Sequence, residues 1–571
     1  MASLKFIQTN CNFSLGWSAP EFAMRGDMKT ASASVSRLEN MDVLPSGGLA
    51  RRAGTRQIYN TPIAEDAVLV PFHLGVGEEY LLILGGGRLR MFLNGAVQQT
   101  ITTPWADTDL KNIQWAQRDR AMIFTHPNFP PQILSRKSSW NLLSIDFSYP
   151  IVNDMTHIPF YKFDGANNPF SVAVTSSGGT RTAQLTAIKA NWTEGHVGAK
   201  MRFGGMEWWI TSFVSATCVN VATNNATIPA PTTQVTNWSE SVWSNAYGYP
   251  RAVSIFQNRL VFAGTRTLPN FVWMSKTGEV YDFEAGTGLD NDAIVASLPA
   301  PALHTISSVI SAENLEILTD MGEWSIKGSP VTPSSFTTRK HTNIGSKLDR
   351  FLPPQRVDGA TIFMSKTGCE LRELKLDNLS DTYSAVDLAS LSQHLMNDPI
   401  SMTYSPTEKR LLIVMADGTI SALTKDDNLE VLGWSQYKTD GEFRYVVMSN
   451  DRIYAVVNRN GAAKLEMFDQ SVWTDGLANF AFVHRVESWP IFSDGTPARS
   501  LRITKMQMRF IDTTAFTIRV GHSEPEMISL TDAEVEINSL GTIKNSESVW
   551  ELSGTTPLTL ISLTLSGRLT I

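Results

Sequence analysis

The chain has 571 residues, 42% of them hydrophobic and 18% charged, with a formal net charge of −7. That length exceeds what one hydrophobic core serves, and the composition is that of folded soluble proteins, which excludes a disordered or fibrous chain. The acidic balance disfavours tight nucleic-acid binding, since phosphates would be repelled, but it permits a duplex to slide past few strong contacts.

Three scattered cysteines, Cys11, Cys218 and Cys369, form no CxxC pair and suggest neither a disulfide framework nor a zinc site. MASLKFIQTNCNFSLGW lacks a basic region followed by a long apolar segment, and no uncharged run of about 18 apolar residues occurs anywhere. The expectation is a chain made in a reducing compartment without a signal peptide and without stable membrane insertion.

In chain order, residues 1 to 57 are rich in Gly, Ser, Ala and Met with little periodicity, and read as an extended N-terminal arm lying on other domains. Within it only ASASVSRLENMDV, residues 31 to 43, has a pattern that suits a helix. DAVLVPF, EYLLILGGG, RLRMFLNG and AVQQTIT then follow as four short apolar or alternating runs separated by turn residues, the signature of an up-and-down meander. AMIFTHP, PQILSR and WNLLSIDF repeat it after TPWADTDLKNIQWAQ, and so do AVSIFQ, RLVFAGT and FVWMSKTG.

TISSVISAENLEILTDMGEWSIKG, ATIFMSKTGCELRELKLD, ISMTYSPTEKRLLIVMADGTISALTKD and RYVVMSNDRIYAVVNRNGAAKLEMFD continue the series. Recurrence at roughly 40 to 50 residues predicts a β-propeller, because each four-stranded sheet buries its faces only against its neighbours. The expected organisation is all-β. The arm spans 1–57, the first part of the propeller 58–164, an inserted small β domain 165–240, the rest of the propeller 241–474, and a C-terminal β-sandwich-like domain 475–571.

No residue set carries chemistry. The nine histidines form no HExxH and no pair at metal-ligand spacing, and neither GxSxG nor GxxxxGK[ST] occurs. Gly85-Gly86-Gly87 lies between two strands and reads as a hairpin turn. Asp290/Asp292 and Asp426/Asp427 have the residue type a glycosidase needs, but in polar turns such pairs serve backbone hydrogen bonds. Arg25-Gly26-Asp27 is too short a match to imply adhesion. Alternation places Trp208 and Trp209 on opposite faces, one of them core. Arg51-Arg52, the densest basic point of the arm, is read as pairing with a neighbouring subunit in preference to DNA. The expectation is therefore no catalytic residues, no metal and no cofactor.

GWSAPEFAMRGDMK, VLPSGGLARRAGTRQI, VLVPFHLGVGEEYLLILGGGRLRMFLNG, IQWAQRDRAMIFTHPNFPPQILSR, GHVGAKMRFGGMEWWI and GYPRAVSIFQNRLVFAGT occur in that order. LEILTDMGEWSI, KTGCELRELKLD and VLGWSQYKTDG follow them. This succession, over roughly residues 12 to 470, resembles the tail nozzle proteins of short-tailed bacteriophages, also called tail tubular protein B.

The resemblance implies a structural virion protein, a subunit of a homohexameric ring built around a β-propeller and docked on an adaptor, or head-to-tail connector, ring. The ring forms the distal channel of the portal vertex, through which double-stranded DNA is retained and then conducted, with tail fibres nearby. Residues of the arm motif are matched at Arg25, Asp27, Gly48, Arg51, Arg52, Gly54 and Thr55; Ala53 stands where proline is expected. The region after 475 matches least. Localisation in the phage tail, after synthesis in the bacterial cytoplasm, follows from the same resemblance. The competing expectations are a tail fibre or receptor-binding protein, usually trimeric, and a virion-associated glycan hydrolase on a propeller scaffold, which needs two facing carboxylates.

Overall fold

The computed structural model describes residues 3–22, 32–147, 155–163, 168–176, 180–224, 234–286, 288–377, 379–477, 480–493, 496–497, 500–530, 532–544 and 548–570. It divides into two units, one of Met1–Thr100 with Leu352–Ile571, the other of Ile101–Phe351. The protein is all-β with a β-propeller fold; among the described residues it has seven four-stranded antiparallel meanders, termed blades below, and each unit is described by itself. Six are separate sheets and the seventh is part of a larger one.

In the first unit, blade 1 runs through Val68–His73, Glu79–Gly85, Arg88–Leu93 and Ala96–Thr102. Blade 5 is Gln355–Val357, Ala360–Met364, Leu371–Asp377 and Thr382–Asp387. Blade 6 is Pro399–Ser405, Arg410–Met415, Ile420–Asp426 and Val431–Tyr437. Blade 7 takes three strands from late in the chain, Glu442–Ser449, Arg452–Arg459 and Ala462–Asp469, and its fourth, Gly54–Ile63, from the end of the arm. First strands pack side by side from blade 5 to 6, 6 to 7 and 7 to 1.

Inner and outer strands differ as stacked blades require. Arg410–Met415 is buried at all six positions because sheets cover both of its faces, whereas Ala96–Thr102 alternates exposed and half-buried residues at a blade edge. Left-handed turn residues close the hairpins: Asn94 (φ 50°) with Gly95, and Asn450 with Asp451 (φ 49° and 53°).

The remainder of this unit is a sandwich that the arm completes. One sheet has the order Glu534–Lys544, Ser500–Ile511, Thr559–Thr570, Leu49–Arg51, Met41–Val43, with Ser3–Asn10 also beside Thr559–Thr570. The other has the order Arg37–Glu39, His484–Glu487, Trp550–Gly554, Ala515–Val520, Glu526–Ser529, and joins the last strand of blade 6 through Arg37–Glu39. Leu38, Met41 and Leu49 of the arm share one core with Val486, Leu552, Leu563 and Met508. The arm is thus extended, but it is an integral part of the C-terminal domain.

The helix expected over 31–43 is absent: the described part holds the short strands Ser34–Val35, Arg37–Glu39 and Met41–Val43. Buried Val35, Leu38 and Met41 mimic a helical stripe at spacing three. Asn40, at φ 52°, interrupts the extended run between Arg37–Glu39 and Met41–Val43, so the three buried residues lie on separate short strands.

In the second unit, blade 2 is Gln114–Arg118, Ala121–His126, Phe129–Arg136 and Trp140–Ser144. Blade 3 is Ala252–Phe256, Arg259–Ala263, Phe271–Met274 and Ile294–Ser297, and blade 4 is Ile306–Ser311, Leu315–Thr319, Gly322–Lys327 and Thr337–Lys340. Between blades 2 and 3 lies an inserted seven-stranded sheet, from Phe160–Tyr161 at one edge to Phe170–Ser176 at the other. Mutual backbone hydrogen bonds between Phe170 and Val235 bring the sheet's far edge back toward Trp238–Ser241. The sheet therefore curls around Phe170, Trp192, Met201, Trp208 and Trp238.

Candidate functional site

The described residues of the arm motif build a buried latch where the arm leaves the sandwich and enters blade 7. A hairpin joins Met41–Val43 to Leu49–Arg51, closed by the Leu44 and Gly47 amides donating to the Gly48 and Leu44 carbonyls at 2.8 Å. A Cβ on Gly48 would stand 3.0 Å from the Leu560 carbonyl oxygen, so a side chain there is crowded by the neighbouring strand.

Arg51 and Arg52 point into the protein. Arg51 donates through Nη2 to the carbonyls of Trp473 (2.7 Å) and Phe482 (3.1 Å), with its guanidinium 4.1 Å from the centre of the Phe482 ring. Burial first, and the neighbouring Arg52 second, lower its pKa to about 10. Arg52 is fully buried and grips Asp475 with both terminal nitrogens, Nη1 to Oδ1 at 3.0 Å and Nη2 to Oδ2 at 2.6 Å. Its remaining donors reach Asn40 Oδ1 and the carbonyls of Ala53 and Lys438, and the guanidinium lies 3.6 Å from the Phe482 ring centre.

The next residues extend the same network. Gly54 donates to the Val472 carbonyl at 2.8 Å, and a Cβ there would overlap the Thr474 carbonyl oxygen. Thr55 donates its amide to Asp475 Oδ1 (3.1 Å) and its hydroxyl to Glu466 Oε2 (2.6 Å). Glu466 receives Nε and Nη2 of Arg459 at 2.6 and 2.9 Å, and Arg459 also pairs with Asp440. Burial pushes the Asp475 carboxyl up, but Arg52 first, with Thr439 and Arg459, outweighs this and holds it below the usual carboxylate range.

The pairing of Arg51-Arg52 with a neighbouring subunit is corrected by this geometry: Arg52 and Thr55 are occupied within their own chain, Arg51 is buried there and bonded through Nη2 while its Nε and Nη1 have no partner among the described residues, and Gly48 and Gly54 admit close backbone approach. Arg25 and Asp27 lie outside the described residues, and so does the Arg25-Gly26-Asp27 triplet. Ala53 is buried and contributes its carbonyl to Arg52.

The other candidates resolve as structural groups. Asp292 accepts from the Gly288 and Leu289 amides at 3.0 and 2.9 Å, and Asp290 offers its carbonyl to Arg259. Asp426 pairs with Lys409 at 2.5 Å and Asp427 with Lys425, so neither aspartate pair forms two facing, free carboxylates. Trp208 is fully buried and stacks on Phe203, while Trp209 faces the other way, half-buried. Gly86 and Gly87, both at φ 64°, form a hairpin turn. Among the described residues no group of three or more His, Cys, Asp or Glu is placed to hold a metal ion.

Two arrangements escaped sequence reasoning. His484, beside the latch, is buried with neither ring nitrogen partnered among the described residues; burial, then Arg51, lowers its pKa to about 3. In the second unit Tyr247 donates to the buried carboxylate of Glu240 and lies 3.3 Å from His196 Nε2, while Phe163 stacks on the Tyr247 ring. Burial pushes Glu240 up to about 7 against the hydrogen bond of Tyr247. The three come from separate turns and strands, so no local motif announces them.

No protein-family model and no curated protein matches the chain. Among solved structures, BamB from Moraxella catarrhalis is similar at 10% identity and TM-score 0.36, covering 74% of this chain and 98% of its own. The WD40 repeats of RRP9 are similar at 9% identity and TM-score 0.28, covering 62% and 96%. Hsv2 from Kluyvelomyces marxianus is similar at 10% identity and TM-score 0.27, covering 66% and 97%.

Proposed function

We propose that this protein is a structural virion component, the subunit of a homohexameric tail nozzle that retains DNA and then conducts it during ejection. The observation that carries the reading is the ordered succession of sequence features over roughly residues 12 to 470, from GWSAPEFAMRGDMK to VLGWSQYKTDG. The β-propeller fold is compatible with it, because rigid blades with projecting turns supply the head-to-tail surfaces that a closed ring needs. The latch supports it further. Every described motif residue of the arm ties the N-terminal strands to blade 7 and the sandwich, which gives a subunit able to bear load during DNA passage. Weak net acidity suits a conduit that must release a duplex quickly.

In this reading the ring docks on an adaptor ring, lies near the tail fibres, and meets DNA without sequence preference; the chain acts on no substrate. Antibody labelling of intact particles tests the placement. Gold at the distal end of the tail axis is the expected result. Label confined to fibre tips would refute the nozzle and favour a receptor-binding role.

A further inference from the structure

Blades 1 and 7 leave a cavity of about 210 Å³ between them, at the blade end that carries the Asn94-Gly95 and Asn450-Asp451 turns. Its floor is apolar, with buried Leu81, Phe92 and Met467. Its walls carry two arginines, Arg56 and Arg452, one carboxylate, Glu79, and the ring of Tyr454. Two of these polar groups are unspent. Oε2 of Glu79 is shielded from solvent and has no hydrogen-bond partner. Among the described residues Arg452 forms no side-chain hydrogen bond or ion pair, although Asp469 feels its charge, whereas Arg56 is held by Asp469 at 3.3 Å.

We propose that this cavity binds a single carboxylate-bearing sugar ring, the ligand's carboxylate on Arg452 and a ring hydroxyl donating to Glu79. The inference is independent of ring assembly. Chemistry selects this class over its rivals. The Glu79 carboxylate calls for a donor that is separate from the anionic group on Arg452: a sugar acid carries ring hydroxyls apart from its carboxylate, whereas sulfate carries none and the hydroxyls of inorganic phosphate sit on the anion itself. A cationic ligand would meet two guanidiniums. An apolar ligand would leave Glu79 and Arg452 unanswered. The Tyr454 ring beside an apolar floor offers the C–H face of a sugar a surface. The volume lies below the roughly 300 Å³ at which pockets begin to take drug-sized ligands, so one ring fits and a disaccharide would project out of the mouth.

The test uses the full-length protein with D-glucuronate, D-glucose and inorganic phosphate as probes, in saturation-transfer NMR and calorimetry. Glucuronate should bind, glucose more weakly, and phosphate should not displace glucuronate. Arg452→Ala, at an exposed position whose effect on folding is checked by circular dichroism, should weaken glucuronate binding about tenfold or more, the value of one charge-assisted hydrogen bond. A hyaluronan tetrasaccharide distinguishes the sources: tighter binding than the monosaccharide assigns the site to a polymer, equal binding to a free sugar acid. No transfer to glucuronate, displacement by phosphate in the unmodified protein, or unchanged affinity in Arg452→Ala would each overturn the proposal.

Discussion

Arg52→Met is the sharpest perturbation of the latch. The substitution keeps the length of the stem and its contact with Phe482, but removes the charge from a side chain that is 1% exposed, opposite a carboxylate that is 1% exposed. Asp475 retains Thr55 as a donor, and Asn40 Oδ1 retains the Lys438 amide at 2.8 Å. The main loss is the neutralising partner of a buried carboxylate, which costs about 3–5 kcal/mol. Equilibrium urea unfolding followed by tryptophan fluorescence measures it. With a slope near 3 kcal/mol per molar, the midpoint of the transition should fall by about 1–2 M.

The double variant Arg52→Met, Asp475→Leu removes the stranded charge and should be more stable than the sum of the single losses predicts, by about 1–3 kcal/mol. The pH dependence follows from the lowered pKa of Asp475. Its contribution is present above the reference value of 3.8 and disappears as pH falls through the folded-state value, so the difference between the unmodified chain and Arg52→Met narrows in acid. A single-variant loss below about 1 kcal/mol, or strictly additive losses, would refute the assignment of the pair as a latch.

Gly54→Ala should destabilise the closure of blade 7 by about 2–4 kcal/mol, because the new methyl meets the Thr474 carbonyl and lies 2.7 Å from the Val472 oxygen; the same urea titration checks it. His484, whose pKa is lowered to about 3, favours the folded state fully above 6.5 and progressively less below it. Between pH 7 and 5 the chain should lose about 2 kcal/mol from this group, a loss that thermal melts of His484→Leu should lack. Glu240, raised to about 7, contributes fully below 4.5 and loses its contribution as pH rises through 7. Glu240→Gln should therefore raise stability at pH 8 by about 1–3 kcal/mol and change it little at pH 4, as differential scanning calorimetry reads it.

The blades were legible because their physics is local. Asn94-Gly95 and Asn460-Gly461 sit between alternating runs, and a two-residue turn with left-handed backbone fixes a hairpin wherever it falls. The partners of the arm were not legible. Arg52 meets Asp475 across 423 positions, and Arg37–Glu39 pairs with His484–Glu487, so nothing near either segment specifies the other. The misread helix over 31–43 has the same origin: three buried residues at a helical spacing are explained only by strands that arrive later in the chain. The basic pair Arg51-Arg52 resembled a surface feature because a buried arginine is rare, and its burial depends on carbonyls and carboxylates supplied by residues 438 to 482. The Glu240, Tyr247 and His196 cluster likewise joins three turns and strands with no shared motif.

Rotational averaging of electron micrographs along the tail axis of intact particles tests the nozzle most directly. The account predicts six copies of this chain around an axial channel that admits duplex DNA. A three-fold, solid density set off the axis would contradict it.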